Sequence, residues 1–227
     1  MTMVAGRPGS QKSGFALYWT TMMGLPTLYF SADMSPFQAS ARIAGIRGGY
    51  TVEQVENMMI GAPEDQEAVL RCTADVPITF SFDSPIRWDN INYELEAYVE
   101  LHNEYPQVVV FDNLMDFEAG ASDYTAQMEI LQYLDEMKTE LGVTMIVLHH
   151  ATDKGKSAEE PSQPPPRSEI KGGLGEKPEN TLTVALDPNN LNLNVAVVKH
   201  RMGPCDPSGR SYKAIGGDPS RTTFFAL

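Results

Sequence analysis

The chain has 227 residues, enough for one large α/β domain or two small ones, and its 42% hydrophobic and 21% charged content is that of a globular protein. Two cysteines, Cys72 and Cys205, exclude a disulfide framework and favour a reducing cytoplasm, and no apolar run approaches the ~20 residues that span a bilayer. A net charge of −13 argues against a protein that coats DNA indiscriminately, though not against nucleic acid held by a few basic loop residues.

Met1 to Ala5 is apolar and runs into Gly6-Arg7-Pro8-Gly9-Ser10-Gln11-Lys12-Ser13, followed by Gly14 and a helical pattern from Lys12 to Met23. Strand, tight Gly/Pro loop and helix form the context in which a G-x-x-x-x-G-K-[ST] phosphate loop works. Backbone N–H groups of the loop and the positive end of the helix would cradle the phosphates of ATP. Lys12 would reach the β- and γ-phosphates, and Ser13 would place its hydroxyl on Mg²⁺. Gln11 stands where the pattern has glycine, which predicts a narrower loop or weaker nucleotide binding. The alternative is an ordinary Gly/Pro turn at a helix start. With the first strand so near the first residue, no separate N-terminal domain is expected upstream. That leaves a minimal ATPase core, or a preceding segment that lies on another chain or was removed.

Leu25 to Phe30 reads as a buried strand ending near Asp33. Ser35 and Pro36 then suit the N-cap and first position of a helix to about Arg47, stopped by Gly48-Gly49. Thr51 to Met59 and Pro63 to Ala74 read as two short helices, Val76 to Phe82 as a strand, and Trp88 to Glu104 as a helix. Gln107 to Asn113 is β-branched and apolar and ends in an acid, as a central parallel strand should. Thr125 to Leu141 is a helix, and Val143 to Leu148 is a strand ending in His149-His150. Ala151 to Pro166 is a polar, proline-rich loop. Thr181 to Leu186 and Leu193 to Lys199 read as paired strands, with a terminal pair at Ser211 to Ile215 and Thr222 to Ala226.

This order implies an α/β fold, a mostly parallel central sheet flanked by helices with antiparallel C-terminal strands, in one domain of residues 1–227. Ligands bind at the carboxyl ends of parallel strands, where the phosphate loop, Asp33, Asp112 and His150 should gather. Asp112 suits an acid that holds Mg²⁺, and Asp33 suits a group that orients or deprotonates the attacking water. Asp33 could equally cap the next helix, and His150 could equally be a core histidine. Lys199 and Arg201, two residues apart at a strand end, point the same way. They could stabilise charge on a neighbouring subunit's phosphoryl group or form a solvated basic turn.

Taken in order, these motifs resemble the RecA-like ATPase core of DnaB-type hexameric replicative helicases, especially phage-encoded ones. The likeness lies in Thr2 to Ser13, in Phe30-Ser31-Ala32-Asp33-Met34-Ser35, in Val108 to Leu114, in Leu148-His149-His150 and in Lys199-His200-Arg201-Met202-Gly203. It implies ATP and Mg²⁺ as cofactors, Asp33 as the catalytic acid and His150 as a phosphate sensor. Arg201, with Lys199 beside it, would be a finger pair acting on the adjacent subunit. By the same resemblance DNA-binding loops fall near Glu118 to Tyr124 and in a flexible loop at about 151–175. Lys154, Lys156, Arg167 and Lys171 would then touch single-stranded DNA. The implied partners are further copies in a hexamer and a separate N-terminal or primase-like chain, in a host cytoplasm. Two rivals stand beside this reading: a recombination ATPase of the same fold that forms filaments, and a nucleotide-binding module without turnover.

Overall fold

A computed structural model of the chain describes residues 1–118, 124–153 and 160–227. The strands are β1 (Thr2–Gly6), β2 (Thr27–Ser31), β3 (Ile78–Ser81), β4 (Val108–Asp112), β5 (Thr144–His150), β6 (Asn180–Leu186), β7 (Leu193–His200), β8 (Tyr212–Asp218) and β9 (Thr223–Phe225). The helices are α1 (Lys12–Met23), α2 (Pro36–Gly48), α3 (Val52–Met59), α4 (Pro63–Thr73), α5 (Trp88–His102) and α6 (Tyr124–Leu141). One sheet takes the strands in the order β3-β2-β4-β5-β1-β6-β7-β8-β9. The first six strands in sequence run parallel, and β7, β8 and β9 add on antiparallel.

Successive strand residues face opposite sides of a sheet, and here both sides are apolar. Met3, Phe30, Val109, Phe111 and Val147 pack with Ile91 and Leu95 of α5 and with Ile130 and Leu134 of α6. Val4, Tyr29, Val110 and Leu148 pack on the other side with Leu17 of α1 and Ile43 of α2. Every residue of β4 is buried, so this strand forms the middle of the core. Helices α3 and α4 bury Val55 and Val69 against Ala41 and Ala44 of α2, forming a separate small cluster.

Local sequence explains where α2 begins after Asp33. Ser35 Oγ accepts from Gln38 N at 3.2 Å, and Gln38 Oε1 accepts from Ser35 N at 2.9 Å. That reciprocal box, with Pro36 at the first position, contributes about 1 kcal/mol to helix stability and fixes where the chain turns after β2.

The segment expected as a flexible loop at about 151–175 is structured where it is described. Arg167–Glu169 and Lys171–Glu176 form 3-10 turns, Ala151 bridges to Ile170, and Ile170 and Leu174 enter the core under α6. Two apolar residues four apart anchor a stretch whose average composition is polar. The intervening Gly172 and Gly173 take φ of 69° and 65°, conformations that glycine adopts without steric cost. Residues 119–123, within the expected first DNA loop, and Lys154 and Lys156 in the second lie outside the described residues.

Candidate nucleotide site

The carboxyl edge of the sheet collects the chemistry. Gly6 ends β1 opposite His150 of β5 and Val184 of β6, while Asp112 ends β4 opposite Ser31 of β2. Between β1 and α1 the chain turns tightly, with Ser10 N donating to Arg7 O at 3.1 Å and Gly9 at φ 77°. A Cβ on Gly6 would lie 2.2 Å from Ser10 Oγ and 3.0 Å from Val184 O, so glycine lets the turn pass close to β6.

Helix α1 starts without a side-chain cap and with no acid in its first turn, leaving its first N–H groups facing the loop. Ser10 Oγ is buried there with no hydrogen-bond partner. Lys12 is buried too and makes no hydrogen bond or ion pair among the described residues. Burial lowers its proton affinity, against the pull of Asp112, Asp33 and Asp116. An uncapped helix start, an orphaned hydroxyl and an unmatched ammonium are the donors that a phosphate chain satisfies.

The fit to a divalent cation rests on Ser13 and Asp112. Ser13 Oγ donates to Asp112 Oδ1 at 3.0 Å, and Tyr29 Oη donates to Asp112 Oδ2 at 3.2 Å. Burial pushes the Asp112 carboxyl up to about 6, only partly offset by these bonds and by Lys12. A carboxylate kept dry beside a hydroxyl is a ready hard-cation ligand pair.

Gln11 is left-handed at φ 62°, where L side chains are strained by roughly 1–2 kcal/mol. Its carbonyl still accepts from Phe15 N at 2.8 Å, and its side-chain oxygen lies 2.9 Å from where a Cβ on Gly14 would stand. The glutamine therefore keeps the loop conformation that a glycine would take and lays its amide along α1.

His149 is fully buried, with Nε2 within 3.0 Å of Lys171 O, and burial lowers it to about 4. His150 lies half-buried at the strand end, and burial, then the Lys12 and Lys171 ammoniums, lower it to about 4. Both imidazoles are neutral at pH 7. Asp33 is exposed in the turn after β2 and accepts from Asn113 Nδ2 at 3.3 Å. Asp116, half-buried, accepts from Asn113 N at 3.0 Å, and burial raises its carboxyl.

Other expected site residues stand elsewhere. Arg7 sends its guanidinium to Gln163 O at 3.2 Å and Glu169 Oε2 at 3.3 Å, tying the phosphate loop to the segment after β5. Pro8 and Gly9 line a cavity of about 170 Å³ beside Val184 and Leu186. Lys199 and Arg201 lie at the opposite edge of the sheet, because β7 is antiparallel and places His200 against Asn180, which pairs with Thr2. Lys199 Nζ donates to Glu176 O, and Arg201 donates to Glu179 Oε1 at 3.1 Å. Arg167 pairs with Glu176 on the Lys199 side, whereas Lys171 lies close enough to Lys12 to lower it. The described basic loop residues are thus not gathered in one patch. Tyr29, Asn113, Asp116 and Glu169 were missed by sequence reasoning; Asn113 and Asp116 had a local signal, since they follow the strand-end acid in an Asn-x-x-Asp capping pattern.

Fold and site together define a RecA-like P-loop NTPase domain of the phage-type, DnaB-like class. The chain belongs to the AAA domain family, whose profile matches residues 1–156. It is 32% identical over 222 residues to the Gene 65 protein of Mycobacterium phage D29, covering 95% of this chain and 94% of that protein. In structure it is similar to a DnaB-like replicative helicase studied with its primase interactions, with a TM-score of 0.79 at 19% identity. That match covers all of this chain and 57% of the helicase chain. A second solved ATPase domain superimposes with a TM-score of 0.78 at 18% identity, over all of this chain and 84% of that one. At these identities the structural likenesses establish the fold.

Proposed function

We propose that this chain is the motor core of a replicative DNA helicase, which hydrolyses ATP between neighbouring copies and moves along single-stranded DNA. One observation carries the reading. Lys199 and Arg201 sit a full strand away from their own phosphate loop, roughly 15 Å at ~3.3 Å per residue. They are out of reach of that loop, so a role in hydrolysis requires a second copy, joined head to tail as in a ring.

In this reading the loop N–H groups, Ser10 and Lys12 bind the phosphates, and Ser13 with Asp112 holds Mg²⁺. When bound, the metal would supply neutralisation of phosphate charge. Asp33 orients the attacking water, and neutral His150 offers a hydrogen bond to the terminal phosphate. Arg201 of the adjacent copy, with its Lys199, stabilises the charge that develops on transfer. Lys171 and Arg167, with Lys154 and Lys156, are the candidate contacts to DNA phosphates. A hexamer in the host cytoplasm and a primase-like partner chain are the surroundings this reading brings with it.

Steady-state ATP hydrolysis with and without single-stranded DNA, over a range of protein concentrations, tests it. Turnover should rise with DNA and more than linearly with concentration. Arg201→Ala should lower turnover by ~10³-fold without weakening ATP binding. Mixing Arg201→Ala with Lys12→Ala chains should restore turnover that neither has alone, because one supplies a sound loop and the other a sound finger. A rate indifferent to DNA would overturn the helicase reading, and filaments on DNA in place of rings would favour the recombination rival.

A further inference from the structure

Asp33 is the exposed acid at the carboxyl edge, where Asp112 is buried and Asp116 half-buried. It lies in the bend beyond β2, and among the described residues its carboxylate accepts one side-chain hydrogen bond, from Asn113. Asn113, by contrast, is 2% exposed and pinned on both sides. Its Oδ1 accepts from Met115 N at 2.9 Å, and its own N donates to Asp116 Oδ2 at 3.0 Å, together capping the 3-10 turn Leu114–Asp116.

These bonds settle which way the amide faces. Met115 N is a donor and needs an oxygen, so Oδ1 must point at Met115 and Nδ2 must point at Asp33. The sheet brings the two residues together. Ser31 pairs with Asp112, and Ala32 N donates to Asp112 O at 3.1 Å, so the ladder between β2 and β4 continues up to Ala32, next to Asp33.

We propose that Asn113 is a positioning residue: it fixes the Asp33 carboxylate relative to Asp112, so that the group orienting water and the group holding the metal move as one unit. This inference rests on the reading of Asp33 as the water-orienting acid. A carboxylate on a free side chain samples several rotamers, and misplacement by about 1 Å at a reacting centre can cost on the order of 100-fold in rate. Asn113 removes that freedom with a donor that is itself held by backbone.

Asn113→Asp tests the idea, because it keeps the oxygen that caps Met115 and replaces the donor toward Asp33. Asn113→Ser is the companion: its hydroxyl still caps the turn but is too short to reach Asp33, and it adds no charge. Asn113→Ser should melt like the parent and bind ATP–Mg²⁺ with unchanged affinity, whereas Asn113→Asp, which buries a further carboxylate beside Asp112 and Asp116, should melt lower. Both should lose at least tenfold in kcat with KM unchanged, with kcat referred to the folded fraction given by the melting curve. Full kcat in Asn113→Ser, or a loss carried by KM, overturns the proposal. Asp33→Asn, measured alongside, separates the two claims. If it retains turnover, the assignment of Asp33 fails and this inference falls with it; if it is inactive while both Asn113 variants are normal, only the positioning role fails.

Discussion

At the carboxyl edge of the sheet Lys12 is buried and unpaired among the described residues, while at the amino edge Arg201 is 71% exposed and rests on Glu179. The two cations differ in what their surroundings have already done to them. Taking Lys12 out of water costs free energy that nothing in the chain fully returns, so the site is built for an anion that arrives. Arg201 has surrendered little hydration, and an exposed ion pair contributes at most about 1 kcal/mol, so it can leave Glu179 for a stronger acceptor. One edge is preorganised and the other is free to be re-aimed. The proposed division of the site between copies would need that asymmetry.

The largest expected effect comes from breaking the buried side of this comparison. Lys12→Met keeps the aliphatic stem and removes the ammonium. Loss of a charge-assisted phosphate contact of about 3 kcal/mol should weaken ATP binding roughly 100-fold. Thermal stability without nucleotide should hold or rise, because the folded state disfavours the charged lysine. Calorimetric titration and a melting curve on the same sample check both. If stability collapses instead, Lys12 is a structural ion-pair partner and the contrast between the edges is wrong.

How much of this was readable in advance depends on distance along the chain. The β-branched run Val108-Val109-Val110-Phe111, the Ser35-Pro36 helix start and the spacing of Gly6, Lys12 and Ser13 are local patterns, and each recurs in the structure where the pattern puts it. Contacts that depend on strand register were not readable. Tyr29 meets Asp112 and Asp33 meets Asn113 only because β2 and β4 pair in one particular register, some 80 residues apart in sequence. Arg7 belongs to the expected phosphate loop by position, yet its guanidinium is claimed by Glu169, 162 residues away. Ile170 and Leu174 were hidden for a different reason: two glycines between them read as loop, and burial overrode that.

Asp112 sharpens the comparison at the level of protons. Its carboxyl is raised to about 6, so its contribution to stability is complete below the ordinary carboxylate range and is lost as pH rises through about 6. At pH 7 without metal the parent chain therefore carries a penalty of up to about 3 kcal/mol that Asp112→Asn escapes. The variant should melt higher than the parent at pH 7, and the gap should close toward pH 4. His149, lowered to about 4, works in the opposite sense and loses its contribution as pH falls through that value. It does so in both proteins, so the difference isolates Asp112. Mg²⁺ should raise the melting temperature of the parent at pH 7 and leave the variant unmoved, and chelation should reverse the rise.

The smallest effect probes the strain at the mouth of the preorganised edge. Gln11 holds φ 62° against the preference of any residue with a Cβ, and glycine would hold it freely. Gln11→Gly removes roughly 1–2 kcal/mol of conformational cost but gives back roughly 0.5–1 kcal/mol of chain entropy on unfolding. The net gain should be about 0.5–1 kcal/mol, a rise of a few degrees in melting temperature for a chain of this size. Gln11→Ala keeps the strain and should show no such rise, which separates backbone relief from loss of the glutamine side chain. Equal melting temperatures for the two variants would mean that the side chain lying along Gly14, and not the left-handed backbone, sets the energy of the loop.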